Sequence, residues 1–296
     1  MMLLEVFGGI LSGSLALISD AGHMLTDSLA IFLSWLAFKW SSKPATEKRT
    51  FGYHRTEILA ALINGLLLLG VSAFIFIEAA KRFMHPQPIE TGLMLVVAVI
   101  GLLGNLGGLL MLHSESGGNL NIRGAFMHIL GDTISSVGVI AGGIIIMFTG
   151  WTIVDSLISV VIAGIVLRGA INLILESGDI LLESAPKDID IDKLRGEVKK
   201  VPGVIDLHEI HVWTITSGRH AMSAHVLTNN ISTRESQGIL CAVRAVLEEK
   251  FKISHSTLEV ECDPCKNNVC DFQHPESVNS NQESGNGHDH NHDHDH

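Results

Sequence analysis

His23-Met24-Leu25-Thr26-Asp27 and His128-Ile129-Leu130-Gly131-Asp132 decide how this chain is read. Both have the form His-x-x-x-Asp, and both stand inside long apolar runs. Residues four apart lie on one face of a helix, one turn above the other. Each stretch can therefore aim an imidazole and a carboxylate at the same point. Two such helices side by side offer two nitrogens and two oxygens, a tetrahedral set suited to Zn²⁺. Ionisable side chains within a bilayer are costly, rare and functional by default. One such pair would also fit a residue that caps or snorkels at a helix end. Two copies of one spacing in separate apolar runs point instead to a shared metal site.

Around these stretches the chain is poor in charge. Of its 296 residues 47% are hydrophobic and only 17% are charged, where a soluble domain carries about 25% charged residues. The apolar runs fill residues 1–180 and the rest is polar. The expected division is a six-span transmembrane domain at 1–180, a cytosolic metal-binding and dimerisation domain at 181–262, and a disordered Cys- and His-containing tail at 263–296. The net charge of −11 arises largely in the second half and gives no reason to expect nucleic-acid binding. Cys241, Cys262, Cys265 and Cys270 all lie in that half. Cys262-x-x-Cys265 followed by Cys270 suits metal ligation better than a disulfide frame, and free thiols suit a reducing cytosol.

A spanning helix needs about 20 apolar residues. The first run, Met2–Ser19, is short, carries Glu5, and lacks the basic flank and cleavage site of a signal peptide. It is read as a first span with a short or missing beginning. Further spans are expected at about Ala21–Trp40, Glu57–Ala80, Gly92–His113, Arg123–Phe148 and Trp151–Glu176. Gly101, Gly104, Gly107 and Gly108 in the fourth are read as small residues for close helix packing. Lys43, Lys48, Arg49 and Arg55 follow span two, and Arg123 follows span four. Positive loops face the cytosol, so both termini are expected inside. His23 and Asp27 then lie near the outer end of span two.

The polar half reads as α-β-β-α-β, a small α+β unit close to a ferredoxin-like fold. A helix is expected at Asp192–Lys200 and a hairpin at Asp206–Thr216 and Arg219–Thr228 around Ser217-Gly218. A second helix at Thr233–Glu249 is capped by Ser232 or Thr233, and a last strand covers Ser256–Cys262. Strict alternation puts His208, Ile210 and Val212 on one face of the first strand. His208, His225, His255 and Cys262 are candidates for a cytosolic Zn²⁺ site, their alternative being plain surface residues. The tail is poor in apolar side chains, as in disordered segments. Its end, His288-Asp-His-Asn-His-Asp-His-Asp-His296, is of the kind that binds transition metals weakly.

Taken together the motifs resemble the cation diffusion facilitator family, in its zinc-transporting branch. The resemblance runs from about Phe7 to Cys262. It is carried by Gly13-Ser14-Leu15-Ala16-Leu17-Ile18-Ser19-Asp20-Ala21-Gly22 leading into the first His-x-x-x-Asp, by Phe51-Gly52-Tyr53-His54-Arg55-Thr56-Glu57, by the second His-x-x-x-Asp, and by Leu207-His208-Glu209-Ile210-His211-Val212-Trp213. The resemblance implies a homodimer of six-span subunits that exchanges metal for protons by alternating access. It puts the transport site on His23, Asp27, His128 and Asp132, a pattern mostly selective for zinc. The short loop between spans four and five, without a His-rich insert, favours a plasma (inner) membrane protein.

The function expected is therefore export of cytosolic Zn²⁺ in exchange for protons, with Zn²⁺ and protons as substrates and the bilayer as surroundings. A membrane zinc sensor signalling through its cytosolic domain is the alternative, but only a transporter needs a site deep in the bundle. An enzyme is not expected: the chain lacks His-Glu-x-x-His, and four protein ligands leave no open position for water.

Overall fold

A computed structural model describes residues 1–113 and 120–263. The expectations for the tail beyond Asp263, including Cys265, Cys270 and the terminal histidines, lie outside the described residues. Among the described residues there are two compact units: Met1–Ser184 with Trp213–Gly218, and Ala185–Val212 with residues 219–263.

The first unit contains helices α1 (Met2–Ser12), α2 (Leu15–Ser41), α3 (Thr56–Met84), α4 (Thr91–His113), α5 (Leu120–Thr149) and α6 (Ile153–Leu181). Helices α2 to α6 are long and apolar enough to cross a membrane, and α1 is a shorter apolar helix. At 1.5 Å per residue α1 is about 16 Å long, half of a hydrocarbon core. The break between the first two helices corrects the expected spans. It falls at Gly13-Ser14 and not at Ser19–Ala21. Gly13 closes α1 with φ 71°, a left-handed conformation open to glycine. The Ser14 side chain then accepts from the Leu17 amide and starts α2.

Large apolar side chains such as Phe7, Ile31, Phe38, Phe74 and Phe148 point outward. On a soluble protein such a surface would be anomalous; around a helix bundle it is the face for lipid. Near the end of α2, Lys39 lies 5.4 Å over the Trp35 ring and Lys43 5.8 Å over Trp40. Such pairs of indole and snorkelling lysine mark a membrane–water boundary. Helix α3 packs on α6 and α4 on α5. A Cβ on Gly142 would stand 2.2 Å from Ile158 Cδ1, and one on Gly143 2.7 Å from Leu95 Cδ2. These two glycines let α5 lie tightly against α6 and α4. Of the α4 glycines read as packing residues, Gly101 and Gly104 face α1 and Gly108 faces Ile129, while Gly107 has nothing within 4 Å.

The second unit has α7 (Ile191–Val198), the first part of β1 (Asp206–Thr216), β2 (Arg219–Leu227), α8 (Thr233–Phe251) and β3 (Ile253–Glu261). The sheet order is β1-β2-β3, with β2 and β3 parallel across the α8 crossover. The two residues between β1 and β2 permit only a hairpin. Leu194 and Val198 of α7, Val243 and Leu247 of α8, and Met222 and Val226 of β2 meet in one core. Asp190 caps α7, and Ser232 with Glu235 forms a capping box on α8. This is the α+β unit expected. Two details differ. β3 starts three residues earlier, because Lys252 ends α8 in the left-handed region (φ 56°) and leads straight into the strand. β1 loses its alternation at Glu209, whose φ is 50°: Leu207 is buried, and the buried positions resume at Val212. This irregularity of the bulge kind takes His208 out of phase with Val212, against the shared face expected.

Arg195 donates to both oxygens of Asp206, at 3.1 and 2.7 Å, and Lys199 stands 3.4 Å away. The hydrogen bonds from Arg195 hold the Asp206 carboxyl down at about 2, below an unfolded value of about 3.9. The stabilisation is therefore complete above about pH 4 and lost as pH falls through about 2. The pair is open to solvent, which limits it to about 1 kcal/mol. Asp206→Asn should lower the calorimetric melting temperature of this unit by a few degrees at pH 7 and leave it unchanged below pH 2.

Candidate metal centre

His23 stands eight residues beyond the first residue of α2, and His128 eight beyond the first of α5. Each imidazole is thus about 12 Å along its helix, with its Asp one turn further. Both helices run for about 40 Å or more, so the motifs meet in their interior. The expectation of a site near the outer end of span two is corrected: α2 begins at Leu15, which adds almost two turns before His23.

The four side chains converge. His23 Nε2 is 3.6 Å from Asp27 Oδ2 and 3.8 Å from Asp132 Oδ1. His128 Nε2 is 3.5 Å from Asp27 Oδ2 and 3.7 Å from Asp132 Oδ2. These separations are too long for hydrogen bonds. They match the edge of a ligand tetrahedron: donors about 2.0–2.2 Å from Zn²⁺ stand about 3.3–3.6 Å from one another. His23, Asp27 and His128 form the tightest trio. Asp132 meets the two imidazoles with different oxygens and stands slightly outside it. Asp27 Oδ2 and His23 Nδ1 are buried without a hydrogen-bond partner among the described residues. A buried carboxylate oxygen that faces two imidazole nitrogens and bonds to neither is suited to a cation. A cavity of about 720 Å³ opens onto His23, His128 and Asp132, walled otherwise largely by apolar residues such as Ile158, Ile162 and Ile165.

Polar contacts hold the two helices in register. Ser135 on α5 donates to Asp20 on α2 at 2.8 Å, one turn from the ligands. Ser136 donates to the Asp132 carbonyl at 3.0 Å and accepts from Asn105 on α4 at 3.3 Å. The start of α2 is held by Asp155 of α6. That carboxylate accepts from the Ser14 hydroxyl at 2.6 Å and from the Leu15 and Ala16 amides at 2.6 and 3.2 Å. Arg82 lies 3.9 Å from Asp155 and donates to the Gly13 carbonyl at 2.6 Å. Asp155 therefore acts as an N-cap supplied from another helix. A lone Asp in an apolar run was its only trace in the sequence.

The second unit gathers a smaller cluster. His208 Nε2 lies 3.1 Å from Glu261 Oε2, and His225 Nδ1 2.7 Å from Glu261 Oε1. The latter approach lacks hydrogen-bond geometry, since His225 Nδ1 has no such partner among the described residues. His208, His225 and Glu261 can each offer one atom to a common ion. His255 and Cys262 do not join this trio. β-Register pairs His225 with Glu259, so His255, four residues back along β3, is about 13 Å away. Cys262 follows the end of β3 and is exposed. Glu261 is the member that spacing did not suggest.

Residues 1–182 match the model of the cation efflux transmembrane domain, and residues 186–263 that of the cation efflux protein cytoplasmic domain. The metal cation efflux system protein CzcD of Cupriavidus metallidurans is 43% identical over 90% of this chain and 84% of its own length. The cadmium, cobalt and zinc/H(+)-K(+) antiporter of Bacillus subtilis is 41% identical over 88% of this chain and 84% of its own. Zinc transporter ZitB of Escherichia coli is 40% identical over 94% of this chain and 89% of its own. Helices of spanning length, two His and two Asp brought together between α2 and α5, and this similarity along both units lead to one conclusion: the chain is a multi-pass membrane protein, not an enzyme, and belongs to the cation efflux family of metal transporters.

Proposed function

We propose that this protein exports Zn²⁺ from the cytosol in exchange for protons, as a homodimer, through the site formed by His23, Asp27, His128 and Asp132. The observation that carries the reading is the set of four imidazole–carboxylate separations of 3.5–3.8 Å around one point inside the bundle. Two nitrogens and two oxygens in that arrangement suit Zn²⁺ by donor type and size. The two carboxylates balance the double charge of the ion. Metal ligands must be deprotonated, so loading Zn²⁺ expels the protons they hold, and protons can refill them once the ion has left. All four ligands lie on α2 and α5, so a shift of this pair relative to its neighbours would carry site and cargo together. Names of similar proteins agree with zinc as cargo, and one of them names an antiporter. They do not favour a sensor.

The Lys43–Arg55 loop supports an orientation with both termini in the cytosol. The match to a cytoplasmic domain supports placing the second unit there. In that unit we assign a lower-affinity Zn²⁺ site to His208, His225 and Glu261, where two imidazoles and a carboxylate present an N₂O set. The test of exchange is direct. In proteoliposomes loaded with a pH dye, an imposed proton gradient directed against zinc flow should accelerate zinc flux severalfold. Zinc flux indifferent to the gradient sinks the exchange.

A further inference from the structure

Among the described residues, three carboxylates outside the His/Asp cluster are buried in the first unit: Glu5, Asp20 and Asp155. Asp155 is occupied as the cap of α2, and Asp20 accepts from Ser135. Glu5 is different. Only 1% of it is exposed, and its Oε2 is buried without a hydrogen-bond partner among the described residues. Its Oε1 lies 2.7 Å from where a Cβ on Gly101 would stand, so α4 leaves space there for a carboxyl and for no side chain of its own. Helix α1 packs against α2 and α4; Asp20 on α2, three residues before His23 and bonded to Ser135, and Asp132 on α5 act on Glu5 through space. On the α1 side, α4 presents Val97, Gly101 and Gly104, none of them ionisable.

An ionised carboxylate with a bare oxygen in apolar surroundings is strongly disfavoured. Two further carboxylates nearby add to that while the metal site holds no cation. A divalent ion between Asp27 and Asp132 cancels their charge and so removes that part of the repulsion that Glu5 faces. Proton binding at Glu5 and metal binding at the tetrahedron are thus coupled through space, without a shared ligand.

We propose that Glu5 is a proton-binding site of the transport cycle, separate from the four metal ligands, which holds a proton while the tetrahedron lacks Zn²⁺ and releases it as Zn²⁺ loads. The O–H bond of the carboxyl breaks, the proton passes to water, and the carboxylate takes a proton from water again after the metal has left. The inference rests on the exchange of zinc for protons proposed above.

The experiment uses the full chain in proteoliposomes, with Zn²⁺ as cargo and a pH dye and a zinc dye read together. Wild type should move protons against zinc. Glu5→Gln keeps size and polarity but cannot ionise. It should match wild type in Zn²⁺ binding at acid pH, where Glu5 stays protonated with and without metal, fall behind it by about tenfold or more as pH rises, move about one proton fewer per zinc and show a flatter pH profile. Glu5→Asp should restore the missing proton. Glu5→Gln with wild-type proton count and pH profile overturns the assignment while leaving the exchange intact. Wild type that moves zinc with no proton movement overturns the exchange, and Glu5 with it. If Glu5→Gln does not fold, Gly101→Ala presses on the Glu5 carboxyl and leaves every titratable group in place. It should shift the pH midpoint of zinc-driven proton movement, and an unmoved midpoint overturns the assignment.

Discussion

Asp132→Ala is expected to stop zinc transport and zinc-driven proton movement together. Asp132 approaches both imidazoles of the proposed site, at 3.8 and 3.7 Å, and is the least exposed of its four residues. Its removal leaves three donors and one net positive charge uncompensated around a bound Zn²⁺. Loss of an outer partner alone reduces metal affinity by about 10–100-fold, so loss of a ligand should exceed about 100-fold. Under the proposed exchange the proton flux should fall in step, with the same carboxylate serving both cargoes in turn. Zinc and proton fluxes recorded in one set of proteoliposomes check this. Continued zinc-dependent proton movement after zinc flux has stopped would separate the two cargoes and refute a shared site.

Asp155→Ala should have the largest effect on folding. The carboxylate is fully buried and accepts from a hydroxyl and two backbone amides at the start of α2. Alanine leaves those donors without an acceptor, in a bundle where water does not replace them, and leaves Arg82 with Glu78, 3.2 Å away, as its remaining carboxylate. Breaking a buried charged pair by removing one partner costs about 3–5 kcal/mol. The variant should melt far below wild type in detergent and reach the membrane poorly. Asp155→Asn keeps one acceptor and should fall between the two. An unchanged melting temperature in Asp155→Ala would show that the α2 start is held by other means. The cap also bears on function, since His23 follows it on the same helix.

Much of this could be read along the chain because its rules are local. Helical spacing of four placed His23 above Asp27 and His128 above Asp132, and the structure brings those four side chains together. Apolar length marked helices α2 to α6, and alternation with a two-residue turn marked the β1–β2 hairpin. Where contacts join residues far apart in sequence, local rules had nothing to say. The first helix ends at Ser12 because Asp155, some 140 residues away, holds the next helix start at Ser14. Glu261, and neither His255 nor Cys262, joins His208 and His225, because strand register and an irregularity at Glu209 set which side chains meet. Glu5 read as a blemish in a short apolar run until Gly101 was seen to make room for it. Sequence by itself determined which residues lie on one face of each element. Tertiary structure alone decided which faces meet and which buried polar atoms go unpaired, because those depend on helices and strands that pack from distant parts of the chain.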